Sequence, residues 1–89
     1  MKIEISKDVI WRELGGEVVM LDLANQQYFG LTGTGSEMWQ LIVEHGSPDS
    51  VIDRMLAKYD VDPANLRADF DKLVNELAAK GMLRVSQGD

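Results

Sequence analysis

The stretch Gln26-Gln-Tyr-Phe-Gly-Leu-Thr-Gly-Thr-Gly-Ser-Glu-Met-Trp-Gln-Leu-Ile42 decides how this chain folds, because the spacing of its apolar residues changes within it. Before Thr32, Phe29 and Leu31 fall on one side and Tyr28 on the other, the period of a strand. After it, Met38, Trp39, Leu41 and Ile42 recur at helical steps. The chain therefore reads as strands up to about residue 32 and as helices beyond.

Working back towards the N-terminus, two further runs are rich in Val, Ile, Leu and Trp: Val9 to Leu14 and Glu17 to Leu23. Gly15-Gly16 between them is a two-residue connection that tolerates positive φ, which predicts a β-hairpin. The polar break Asp22-Leu23-Ala24-Asn25 then leads into a third strand over Gln26 to Leu31. A three-stranded antiparallel meander follows, and an open sheet of this kind leaves a border of unpaired backbone groups on each outer strand.

Towards the C-terminus the segments carry helix start and stop signals. Thr34-Gly-Ser-Glu37 has the spacing of a capping box, and His45-Gly46 ends the first helix, with His45 read as part of the cap. Ser47-Pro48-Asp49 supplies a cap, a proline at the first helical position and an acid in the first turn, ahead of Val51, Ile52, Met55, Leu56 and Tyr59. Asp62-Pro63 repeats the device for a third helix. Its Leu66, Phe70, Leu73, Val74 and Leu77 recur at steps of three and four until Lys80-Gly81 closes it. Met82 to Val85 either packs back or forms a short strand. The predicted fold is α+β: a three-stranded antiparallel β-meander followed by three α-helices, winged helix-turn-helix-like, in a single domain over residues 1–89, with the helices on one face of the sheet.

Composition narrows the function classes. Fifteen acidic residues against nine basic ones give a net charge of -6, which repels polyanions and attracts basic ligands. With no cysteine there is no disulfide framework, thiolate nucleophile or cysteine-ligated zinc, and a reducing compartment, the cytoplasm, is expected. Met1-Lys2-Ile3-Glu4 does not open a signal peptide, and no apolar run approaches the ~18 residues of a membrane span.

Catalytic readings find little support. The lone His45 has no partner that spacing can identify. Asp69 and Glu76 lie seven apart on one helical face, about 10 Å of rise, too far to share a proton or a metal. Gly30, Gly33 and Gly35 lack the lysine of a phosphate-binding loop and the spacing of a dinucleotide fingerprint, so they read as turn glycines. A winged-helix DNA reader is the rival on fold grounds. Its third helix would carry Arg67, Lys72 and Lys80 against Asp69, Asp71 and Glu76, with no net positive charge to displace counterions from phosphates. No cofactor, metal, nucleic acid or membrane is therefore expected, and no enzymatic activity.

What remains is a strand border beside a helix flank. Asp69, Leu73 and Glu76, with Lys80 beyond, form one ridge of the third helix. If that ridge stands next to the third strand, an extended peptide can add itself as a fourth strand between them. Spacing alone leaves open the alternative that Leu73 is core and the acids are solvated.

The residues that carry these features also carry a family resemblance. Val-Ile-Trp-Arg-Glu-Leu (9 to 14), Val-Val-Met-Leu-Asp-Leu (18 to 23), Tyr-Phe-Gly-Leu-Thr-Gly-Thr-Gly (28 to 35), Trp39, Tyr59-Asp60-Val61-Asp62, Asp69 and Lys80-Gly81-Met82-Leu83 together resemble the PqqD-like family of leader-recognition domains in peptide natural-product pathways. The wording is more similar to the discrete leader-binding proteins of lasso-peptide clusters than to PqqD itself, whose partner is a radical enzyme. It departs at Thr32, where asparagine is common, and at Ser36, where alanine is common. The resemblance implies three strands and three helices, with a precursor leader pairing antiparallel to the third strand. It also implies delivery to a leader peptidase or other maturation enzyme. Carried over by position, Gln26, Gln27, Tyr28, Phe29, Gly30 and Leu31 would supply the pairing border and Asp69, Leu73 and Glu76 the wall. Phe70 and Leu73 are expected to form a pocket for an aromatic or proline anchor, with Asp69 and Glu76 meeting polar or basic groups.

Overall fold

The computed structural model describes residues 2–86. The elements run β1 (Lys2–Ile5), β2 (Val9–Leu14), β3 (Glu17–Asp22), β4 (Gln27–Leu31), α1 (Gly33–His45), α2 (Pro48–Lys58), α3 (Pro63–Ala79) and β5 (Leu83–Ser86). Strands β2, β3 and β4 make the expected antiparallel meander, in that order. Gly15 and Gly16 turn the hairpin with φ of 60° and 88°, values that glycine adopts without strain. The third strand starts one residue later than predicted, because Gln26 takes a left-handed φ of 53° and belongs to the turn.

A two-stranded ribbon completes the fold. β1 pairs antiparallel with β5, Lys2 opposite Ser86 and Ile5 opposite Leu83, which resolves the open reading of Met82 to Val85 in favour of a strand. The N-terminal partner was not anticipated. Ile3 is buried in the core, and its N–H donates to the carbonyl of Gly46 at the end of α1 (2.8 Å), so β1 is wedged between β5 and that helix end.

The helices cover one face of the meander. Val18 and Met20 point into the core with Trp39, Ile42, Met55, Phe70, Leu77 and Met82, while Val19 and Leu21 face outward. Trp39 is fully buried and meets Trp11 of β2 edge to face, with ring centroids 6.2 Å apart at 82°. Burying these large side chains contributes about 1.5–3 kcal/mol each.

The helix starts differ in detail from the sequence reading. Asp62 caps α3 as expected, its Oδ1 accepting from the Ala64 N–H at 3.2 Å. Ser47 occupies the N-cap of α2, yet its hydroxyl makes no capping bond. The capping box at Thr34 and Glu37 does not form: α1 begins at Gly33, Thr32 is the N-cap without a side-chain bond, and Glu37 turns away. Its carboxylate instead accepts from the Tyr59 hydroxyl and from Lys58 Nζ (3.0 Å), tying α1 to α2. A cation and a phenol outcompete a backbone amide for this carboxylate. At the other end of α1, Gly46 forms the cap with φ of 69° and donates its N–H to Ile42, whereas Nε2 of His45 has no hydrogen-bond partner.

Candidate functional site

The backbone of β4 has β3 on one side and, among the described residues, no strand on the other. The pairing register fixes which of its groups are free. The N–H of Leu23 donates to the carbonyl of Asp8, so Asp8 and Leu23 are a hydrogen-bonded pair of the β2–β3 ladder. Antiparallel ladders alternate, which makes Ile10 with Leu21, Arg12 with Val19 and Leu14 with Glu17 the bonded pairs that follow. Val18, Met20 and Asp22 therefore bond towards β4, engaging Leu31, Phe29 and Gln27. Tyr28 and Gly30 are left with both their N–H and C=O directed to the open border. Two donors and two acceptors thus face outward along about 7 Å of strand.

Side chains on β4 alternate as the sequence predicted. Leu31 is buried, Phe29 half-buried against the core, and Tyr28 is 79% exposed on the opposite face. The C-terminal end of α3 reaches β4 at Lys80 through two contacts. Gln27 Nε2 donates to the carbonyl of Lys80 at 2.9 Å, and Lys80 Nζ sits 5.4 Å from the centre of the Phe29 ring. The same Gln27 amide lies 3.3 Å from Asp22 Oδ2, so its side chain is engaged within the protein.

Asp22 is the group that sequence reasoning missed. It is 1% exposed, and its carboxylate accepts from Asn25 Nδ2 (2.9 Å), from Gln27 Nε2 and from the N–H groups of Ala24 and Asn25. The Asn25 amide, with help from Gln27, holds the carboxyl below its usual pKa even though burial pushes the other way. The β3–β4 turn and the end of α3 are fixed through this one carboxylate. A polar run followed by two glutamines was the only signal, and nothing in it names Lys80 as the far partner.

On α3, Asp69 and Glu76 are exposed and Leu73 is half-buried against the core, as a mixed ridge requires. Phe70 is 1% exposed; it supports Leu73 from the core side and presents no surface of its own. Phe29 and Lys80 meet at the end of the β4 border, and Leu73 lies seven residues before Lys80 on α3. A cleft of about 730 Å³ lies elsewhere, lined by residues of the β1–β5 ribbon and the end of α3, among them Glu4, Ile5, Ala78, Gly81, Leu83 and Arg84. An unpaired strand border suits an extended chain, which can add itself as a further strand. Among the described residues no three or more His, Cys, Asp or Glu side chains gather as a metal site, and no helix is long and apolar enough to cross a membrane.

Known proteins share this arrangement. The structure of TbiB1 in complex with the TbiA(beta) leader peptide superposes with a TM-score of 0.88 at 33% identity, covering 96% of this chain and 99% of that one. Lasso peptide synthetase B1 complexed with the leader peptide gives 0.83 at 21% identity, over 96% of this chain and 100% of that one, a likeness of fold. No curated protein sequence matches the chain. The family described as coenzyme PQQ synthesis protein D (PqqD) matches residues 17–83, from β3 through β4 and all three helices to the first residue of β5, and the chain belongs to that family.

Proposed function

We infer that this protein is a non-catalytic adaptor that binds the leader of a ribosomally made precursor peptide as a fourth strand on β4 and delivers it to maturation enzymes. The observation that carries the reading is the unpaired border of β4 at Tyr28 and Gly30, with the C-terminal end of α3 held to the same strand through Gln27 and Lys80. The 33% identity to TbiB1, itself solved with a leader peptide, supports it.

The mechanism is non-covalent. A disordered leader loses conformational entropy on pairing, which four main-chain hydrogen bonds alone, each about 0.5–1.5 kcal/mol net, offset only in part. Side chains must supply the rest. Leader residues opposite Phe29 and Leu31 turn towards α3, where Leu73 and Phe29 offer apolar contact and Asp69 and Glu76 offer charge to basic or polar groups. Gln26, in a left-handed conformation, lies outside the ladder, and Gln27 braces the groove rather than contacting the peptide. A dissociation constant near micromolar, about -8 kcal/mol, suits an adaptor that must also release its cargo. Holding the leader raises the effective concentration of the precursor at a peptidase and cyclase of the lasso type. Translation of the precursor places this encounter in the cytoplasm.

The test is titration of a fluorescent leader peptide, first that of TbiA(beta), which a 33% identical protein binds, followed by anisotropy and compared with a labelled DNA duplex. Saturable binding of the leader and none of the duplex is expected. Leu73→Lys and Asp69→Lys should weaken binding about tenfold or more at unchanged circular dichroism. Parent-like affinity in both variants would mean that α3 is not the wall.

The family description favours a second reading, a peptide chaperone for a radical enzyme in another peptide pathway. Neighbouring genes separate the two: a peptidase with an asparagine-synthetase-like cyclase for the first, a radical enzyme for the second.

A further inference from the structure

The outer face of the meander has an uncovered spot at its border. Val19, Leu21 and Tyr28 are exposed there, and Gly30, directly opposite Val19, adds no side chain to its row. The fold does not demand this glycine. Its φ lies outside the left-handed region, and a Cβ built on it meets no atom within 4 Å. Glycine inside a strand weakens the strand and often marks close approach by a ligand or another backbone.

Gly30 is also one of the two residues whose N–H and C=O face the open border. A chain that pairs with β4 therefore sets one residue directly opposite Gly30, with its side chain on the same outer face. A large side chain at that place can reach over the glycine from the neighbouring strand, as aromatic rings cover edge glycines in sheets.

We propose that the uncovered patch over Gly30, framed by Val19 and Tyr28, is a subsite for a bulky apolar or aromatic side chain of the peptide strand bound to β4. This rests on the peptide-binding reading and adds to it. The leader is read on both faces of the extended sheet, by Phe29 and Leu73 within and by the Gly30 patch without. A small or charged leader residue at that place gains no contact. A large apolar one covers Val19 and part of Tyr28 that water otherwise wets.

Gly30→Ala and Gly30→Val, each melted and each titrated with an alanine scan of the labelled leader, test this. Because the added atoms meet open space, both variants should keep or raise the melting temperature. Gly30→Val should bind the leader about tenfold more weakly and Gly30→Ala by a smaller factor. One bulky leader position should lose most of its effect when truncated against Gly30→Val, the coupling that contact produces. Unchanged or tighter binding by both variants, or a scan of identical shape on parent and variants, overturns the subsite while leaving the adaptor reading intact. A parent that binds no leader overturns the reading and the subsite together. A free protein that sediments as a dimer, dispersed by Gly30→Val at unchanged leader affinity, would assign the patch to a second copy and overturn the proposal.

Discussion

Asp22 keeps an ionised carboxylate where water hardly reaches it, and four donors make that possible. Folding lowers its pKa, so the unfolded chain holds the proton more tightly than the folded one. The stabilisation it provides is complete above the unfolded value, about 3.9, and is lost as pH falls through the lower folded value. Glu37, lowered by the Tyr59 hydroxyl and by Lys58, contributes with the same sign. The melting temperature should therefore decline on acidification from about pH 4 downward, and Asp22→Asn should flatten part of that decline. A variant that melts with the parent's acid slope would remove Asp22 from this role. The sequence shows the aspartate and the asparagine three residues on, but the third support, Gln27 reaching Lys80, joins positions 53 apart and has no local signature.

Among the elements, the parts that sequence revealed are those whose cause is local. The glycine pair of the hairpin, the alternation along β4, the Asp62 cap and the apolar stripe of α3 are each set by a few adjacent residues. The misread parts have distant causes. Glu37 fits a capping box by spacing, yet its partners sit on α2, 21 and 22 residues away. β1 and β5 are four residues each, too short for periodicity to register, and they exist because they pair with one another. Period put Asp69 and Glu76 on an exposed flank and Leu73 at its margin, but Phe70, expected to share a pocket with Leu73, has its ring in the core, since period alone does not say how far round the helix burial extends. One vacancy follows at the start of α1. Thr32 has the extended backbone of an N-cap and makes no side-chain bond, so Thr32→Asn should stabilise the protein by a few tenths to about 1 kcal/mol. Urea unfolding with an unchanged slope and a higher midpoint is the expected result.

For the whole molecule, roughly 4–13 kcal/mol of stability is expected at this size, so any buried strand matters. Ile3→Ala tests whether the β1–β5 ribbon belongs to the cooperative unit. Ile3 is 4% exposed within the main core, and its truncation should destabilise by about 2–5 kcal/mol in equilibrium unfolding. A loss below about 1 kcal/mol would make the ribbon a peripheral attachment. The ribbon also bears on how the protein can be joined to others. Lys2 and Ser86 are direct cross-strand neighbours, only about 5 Å apart. A domain tethered ahead of the first strand and one tethered behind the last depart from almost the same point in space. Gene order in a fused enzyme would then matter little to reach, and linker length would govern how often catalyst and captured cargo meet.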